Sequence, residues 1–258
     1  MTTLLLTAAL LAGCGSDRSG GGTTTQSATT TTQPATTTSQ PATTTTQATT
    51  TTTQATTTTT QPVTTTTQPV QPAPLAIWPA ADVVFATPEA AATDFLAKVF
   101  GVGPVLGEFR AGDQRSGEID VFASVDGAPI GAARSILLVR QLGPSDGWFV
   151  VAAASDKATI TAPVTTAVVP AGPLTIEGAA TGFEATVVVS AFVAGRSDPE
   201  LDKQVTMAGN FGATLPYSVS LDLSGASPGD VVVLMVRGGA GLETDPGDFG
   251  AIPVAISN

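Results

Sequence analysis

Glu243, Asp245 and Asp248 stand in one short segment and could offer oxygens to a calcium ion, with Asp198, Glu200 and Asp202 as further donors. Calcium takes six to eight oxygens from a shaped loop, and no EF-hand spacing is present. The segment is therefore expected to be a solvated loop between strands. Gly238-Gly239-Ala240-Gly241 has the composition of a phosphate cradle but lacks the lysine and following helix of a P-loop. It is expected to be a mobile loop. Glu108, Asp113, Glu118 and Asp120 interleave with Arg110 and Arg115 in the pattern of a hairpin's solvent face. The chain has no histidine, which removes the commonest general base and metal ligand and excludes a Ser-His-Asp triad. No two carboxylates can be paired as a glycosidase would require. No catalytic residue, metal site or cofactor is expected.

One thiol remains to be explained. Cys14 is the only cysteine of 258 residues, so disulfides within the chain, zinc–thiolate sites and redox pairs are excluded. It follows the apolar run Leu4–Leu11 and the small residues Ala12-Gly13, and precedes Gly15-Ser16. This pattern resembles the lipobox of bacterial lipoproteins. The resemblance implies cleavage between Gly13 and Cys14, diacylglyceration of the Cys14 thiol, and a mature N-terminus at Cys14. Residues 1–13 would then be the signal peptide and 14–22 the lipidated N-terminus. The apolar run is far too short for the roughly 20 residues that span hydrocarbon. Met1-Thr2-Thr3 carries none of the positive charge usual in a leader, which a start codon farther upstream would explain. The expected location is the cell membrane, anchored by lipid and facing the extracytoplasmic side.

Residues 23–74 are almost entirely Thr, Gln, Ala and Pro, without a charged side chain. Gln26, Gln33, Gln40, Gln47, Gln54, Gln61 and Gln68 recur every seven residues. The positions between them form no apolar seam, and Pro34, Pro41, Pro62 and Pro69 break any helix, so a coiled coil is excluded. The composition is that of a disordered stalk that cannot bury enough apolar surface to fold. As a flexible coil it spans roughly 40 Å, and as extended polyproline II about 160 Å. Beyond it, the net charge of −11 disfavours nucleic acid and anionic headgroups as partners. Among the scarce aromatics, Trp78 and Trp148 are the candidate stacking platforms for a carbohydrate.

The elements that must position any site fall in two stretches. In residues 75–156, Thr87-Pro88-Glu89 reads as a helix cap, first position and favourable acidic end. Ala92, Phe95, Leu96 and Val99 then share one face, and Gly101 supplies the stop. Strands are expected at Val105–Arg110, Glu118–Ala123, Ser135–Leu142 and Trp148–Ala154, with Trp148 in the core. One helix and four strands make a small α+β domain. Residues 157–258 show no helix signal. Strands are expected at Leu174–Gly178, Ala185–Val193, Gln204–Met207, Tyr217–Leu223, Val231–Val236 and Ile252–Ile256, which reads as an all-β immunoglobulin-like sandwich.

Within the second stretch, Leu174-Thr175-Ile176-Glu177-Gly178-Ala179-Ala180-Thr181-Gly182-Phe183-Glu184-Ala185-Thr186-Val187 resembles the opening of the immunoglobulin-like domain of bacterial spore germination (Gmad-type). Phe211-Gly212 and Tyr217-Ser218-Val219-Ser220-Leu221 fit its later pattern, and the whole is actinobacterial in style. The resemblance implies an extracytoplasmic sandwich and makes Phe183 and Glu184 the candidate structural motif. Phe183 is expected to plug the core and Glu184 to pair with an arginine such as Arg237. The expected function is non-enzymatic: a stalked lipoprotein presenting binding modules to an envelope protein or cell-wall polymer. The alternative is a small-molecule carrier or enzyme with a cavity under the helix of 75–156, lined by Phe95, Leu96 and Val99. Pure scaffolding is a third reading.

Overall fold

The computed structural model describes residues 75–101, 103–242 and 244–257. The lipidation and cleavage positions Gly13 and Cys14, the leader, the stalk at 23–74 and Glu243 lie outside the described residues. Helix α1 (Pro88–Phe100) is capped as its sequence demands. The extended Thr87 accepts the Ala90 N–H on its hydroxyl at 3.2 Å, and Gly101 leaves the helix in the left-handed region. Ala91, Ala92, Phe95 and Leu96 are buried on one face. Phe95 packs between Trp78 and Phe100, at ring-centroid distances of 6.1 and 6.2 Å, so the space under the helix is a packed core rather than a hollow.

Two short strands, β1 (Val105–Leu106) and β2 (Arg110–Ala111), pair with a long meander of β3 (Ser116–Val125), β4 (Ala128–Leu142) and β5 (Gly147–Ala154). The β3–β4 hairpin is longer than expected. Asp126 and Gly127 both take positive φ, 52° and 77°, the geometry that a two-residue I′ turn requires. Trp148 is buried, edge-on to Phe109 at 5.4 Å. On the outer face of β3, Arg110 pairs with Asp120 and Glu118, the expected solvent-side pattern.

The rest of the chain is a two-sheet sandwich. Its smaller sheet holds β6 (Ala158–Ala162), β8 (Pro173–Ala180) and β11 (Leu215–Asp222), in the order β11-β8-β6. The larger contains β9 (Thr186–Val193), β10 (Asp202–Met207), β12 (Val231–Gly238) and β13 (Phe249–Ile256), with β7 (Val168–Val169) parallel to β13. Strands β6 and β7 have no counterpart in the sequence reading.

The larger sheet does not stop at the sandwich. Ala251 of β13 pairs with Ala153 of β5, which joins both stretches into one ten-stranded sheet ordered β1-β3-β4-β5-β13-β12-β9-β10, with β2 and β7 off this path. Alternation then sends side chains to two cores. Val187, Val189, Val232, Leu234 and Val236 meet Ile176, Tyr217 and Leu221 of the small sheet. Phe192, Val233, Met235 and Phe249 point the other way and pack with Trp78, Phe95, Leu96 and Val121. The described residues thus form one compact unit of three layers.

Candidate functional site

Strand β9 fixes two poles. At its Val193 end lie Leu75, Gly229 and Val231 around a cavity of about 600 Å³, and Gly195 donates to the Ile77 carbonyl at 3.2 Å. The described chain therefore begins at this pole. At the Thr186 end, one strand length or about 25 Å away, three connecting segments meet. Gly182 donates to the Gly209 carbonyl at 3.0 Å and Phe183 to Gly239 at 2.9 Å, while Gly239 donates to Thr186 at 2.8 Å. This close crossing requires Gly182, because a Cβ there would stand 2.0 Å from the Thr186 oxygen.

The crossing turns aromatic side chains outward. Phe183 is 58 % exposed and Phe211 98 % exposed, with Met207, Leu215 and Leu242 exposed as well. Glu184, Ala185 and Phe211 all have positive φ, near 54°, 59° and 52°. That region is uncommon for residues with a side chain and rarer still for a bulky one. The Asn210 side-chain oxygen accepts the Phe211 N–H at 2.9 Å and braces the turn.

The third segment is held by Asp245. Its carboxylate is buried and accepts from Arg134 of β4 at 3.0 and 2.6 Å, and from the Gly247 N–H at 2.9 Å. The Thr244 hydroxyl donates to the Ser124 carbonyl at 2.6 Å. Arg237 donates to the Asp245 carbonyl at 3.3 Å and lies 5.0 Å over the Phe100 ring. Burial pulls its guanidinium below the ordinary arginine value, against the opposing charge of Asp245.

Between these segments is a cavity of about 290 Å³, with Phe183 and Phe211 at its lining together with Arg134, Lys157, Asp245 and Asp248. Asp248 is half-buried, and loss of water raises its pKa above the ordinary value while Lys157 and Arg134 draw it back. Arg134 and Asp245 satisfy each other. Among the described residues, Lys157 and Asp248 form no side-chain ion pair.

Three expectations are corrected here. Phe183 does not plug the core, because β9 begins only at Thr186 and its first inward side chain is Val187. Glu184 does not pair with Arg237: it is exposed, while Arg237 serves the Asp245 carbonyl. Nor are the glycine-rich and acidic segments a loose solvated loop, since their backbone is knitted to β9 and Asp245 is buried. The N–H groups of Gly238 and Gly239 are spent on the Asp248 and Thr186 carbonyls, so these two are not free to cradle a phosphate.

Asp202 is the first residue of β10, at the opposite end from Met207, and Asp198 and Glu200 precede it, so they do not join Asp245 and Asp248. Asp202 accepts the Asp222 and Lys203 N–H groups, and Glu200 pairs with Lys203. No cluster of metal-ligating side chains occurs among the described residues. Trp78 and Trp148 are core residues rather than stacking platforms. The residues that sequence reasoning missed are Arg134, Lys157 and the role of Phe211. An aromatic between Asn210 and Gly212, in a turn with no strand to bury it, was the readable sign.

No curated protein and no solved structure matches the chain. Residues 157–238, which carry the sandwich as far as β12 and most of the loop pole, match the family model of the immunoglobulin-like domain of bacterial spore germination.

Proposed function

We propose that the protein is a non-enzymatic, lipid-anchored envelope protein whose loop pole, around Phe183 and Phe211, recognises an envelope protein or cell-wall polymer. An immunoglobulin-like domain suits an interaction or structural role. The observation that carries the finer reading is polarity: exposed aromatics crowd the pole opposite Leu75, where the described chain begins. An anchor at Cys14 and a spacer at 23–74 would leave that pole facing outward. The rival's cavity under α1 is closed, because Phe95 and Leu96 lie in the core.

A photo-crosslinking residue placed at 211, and in a second strain at the exposed Ser227 of the other pole, tests this in the native host. Capture of the same envelope component from 211 and not from 227 is expected. Equal capture from both would overturn the assignment of the pole. For the anchor, Cys14→Ser is expected to release the protein from the membrane fraction, and a variant that stays bound would remove the lipid from the account.

A further inference from the structure

We propose that the cavity between Phe183 and Phe211 binds a neutral sugar ring of an envelope glycan; this rests on the reading of the pole as the recognition surface. The cavity, about 290 Å³, lies at the lower end of small-ligand sites, near 300 Å³. Its two phenyl rings are exposed at a cost in backbone strain at Phe211. The face of an aromatic ring carries negative charge density, which favours the weakly positive C–H groups lining one face of a pyranose.

The polar groups narrow the chemistry further. Arg134 and Asp245 are committed to each other. What remains among the described residues is the Asp248 carboxylate and the Lys157 ammonium, with the Asn210 amide and the Thr181 hydroxyl lining the same cavity. A ligand of one charge sign can pair with only one of these two charged groups and is repelled by the other. Hydroxyl groups, which both donate and accept, can satisfy a carboxylate and an ammonium together, through charge-assisted bonds stronger than neutral ones. An anion finds the Gly238 and Gly239 N–H groups already bonded and the Asp248 carboxylate in the same lining. A proline-rich peptide could use the rings but has no need of the Lys157–Asp248 arrangement. The neutral polyol uses every feature of the cavity.

The test uses the full-length acylated protein in detergent, titrated with a neutral N-acetylglucosamine tetramer and a mannose tetramer by saturation-transfer NMR and calorimetry. Saturable binding of at least one probe is expected. Phe183→Ala, Phe211→Ala and Asp248→Asn should each weaken it about tenfold. Val205→Ala, on the exposed β10 edge, should leave it unchanged. The substituted rings are exposed, so unaltered thermal melting will show that the two phenylalanine variants fold, and Asp248→Asn should melt no lower than the parent. Absence of binding by both probes, or equal binding by a Phe183→Ala/Phe211→Ala double variant, overturns the glycan assignment. If position 211 still captures a protein that neither sugar displaces, the recognition pole stands and only its ligand class falls. If neither sugar nor crosslink is found, both fall.

Discussion

Asp248 illustrates how the site's chemistry and the stability of the fold oppose each other at a single residue. Burial raises its native pKa, so the native state holds a proton there more tightly than the unfolded chain does. The ionised carboxylate is therefore destabilising near pH 7. That cost disappears as the pH falls through the raised native value and is gone below the ordinary Asp value, about 3.9. Asp248→Asn should accordingly raise the melting temperature at pH 7 and make no difference near about pH 3, while weakening sugar binding. A melting temperature lowered at pH 7 would show the charge to be held by something stronger than Lys157. Asp245 differs in having a partner. Its buried carboxylate depends on Arg134, and Arg134→Ala should cost about 3 kcal/mol, or about 10 °C of melting temperature. A double variant that also replaces Asp245 with Asn should recover much of that loss, because it leaves no unpaired buried charge.

Among the elements, α1 was the most legible because cap, apolar face and stop agree at Thr87, Phe95, Leu96 and Gly101. Most sandwich strands were legible from their alternation. Strands β6 and β7 escaped: β6 is an edge strand that buries little beyond Ala158, and β7 is two residues long. The run Val231–Val236 held unread information, because an unbroken apolar strand is what burial on both faces produces. It foretold a second layer over the sheet. The cavity was least legible, since Arg134 and Asp245 meet across 111 positions and no local pattern joins them. The motif Glu177-Gly178-Ala179-Ala180-Thr181-Gly182 becomes intelligible only with its neighbours in place. The Tyr217 hydroxyl crosses Gly178 to donate to the Thr159 carbonyl at 3.0 Å. A Cβ on Gly178 would lie 1.9 Å from that carbonyl oxygen and 2.6 Å from the hydroxyl. Gly178→Ala should therefore cost about 3 kcal/mol or more by forcing β6 and β11 from β8, and a denaturant midpoint equal to the parent's would contradict this packing.

At the scale of the molecule, the decisive contact is the pairing of Ala153 with Ala251, because it makes the sandwich sheet a shared wall. The side of β9, β12 and β13 that carries Phe192, Val233, Met235 and Phe249 has its only cover among the described residues in segments before Asp156: α1, Trp78 and the β3–β5 meander. Conversely, Phe95 and Trp78 rest on the β3–β5 meander, and the same cluster is completed by Phe192, Val233, Met235 and Phe249 of that sheet. A chain cut at 156 divides one hydrophobic core rather than separating two, which a domain boundary in a linker with few crossing contacts would not do. Residues 157–258 expressed alone should expose a contiguous apolar face of the kind that drives association, bind a hydrophobic dye and aggregate. Residues 75–156 alone should lack cooperative melting. Co-expressed, the two pieces should reassociate into a soluble complex, and the intact chain should unfold in a single calorimetric transition with matching van't Hoff and calorimetric enthalpies. Two transitions, or two pieces that each fold with the melting behaviour of the whole, would mean that the shared wall is dispensable. One transition means that the loop pole is held by the same cooperative unit that the chain enters at Leu75, and a ligand bound between Phe183 and Phe211 then stabilises all three layers together.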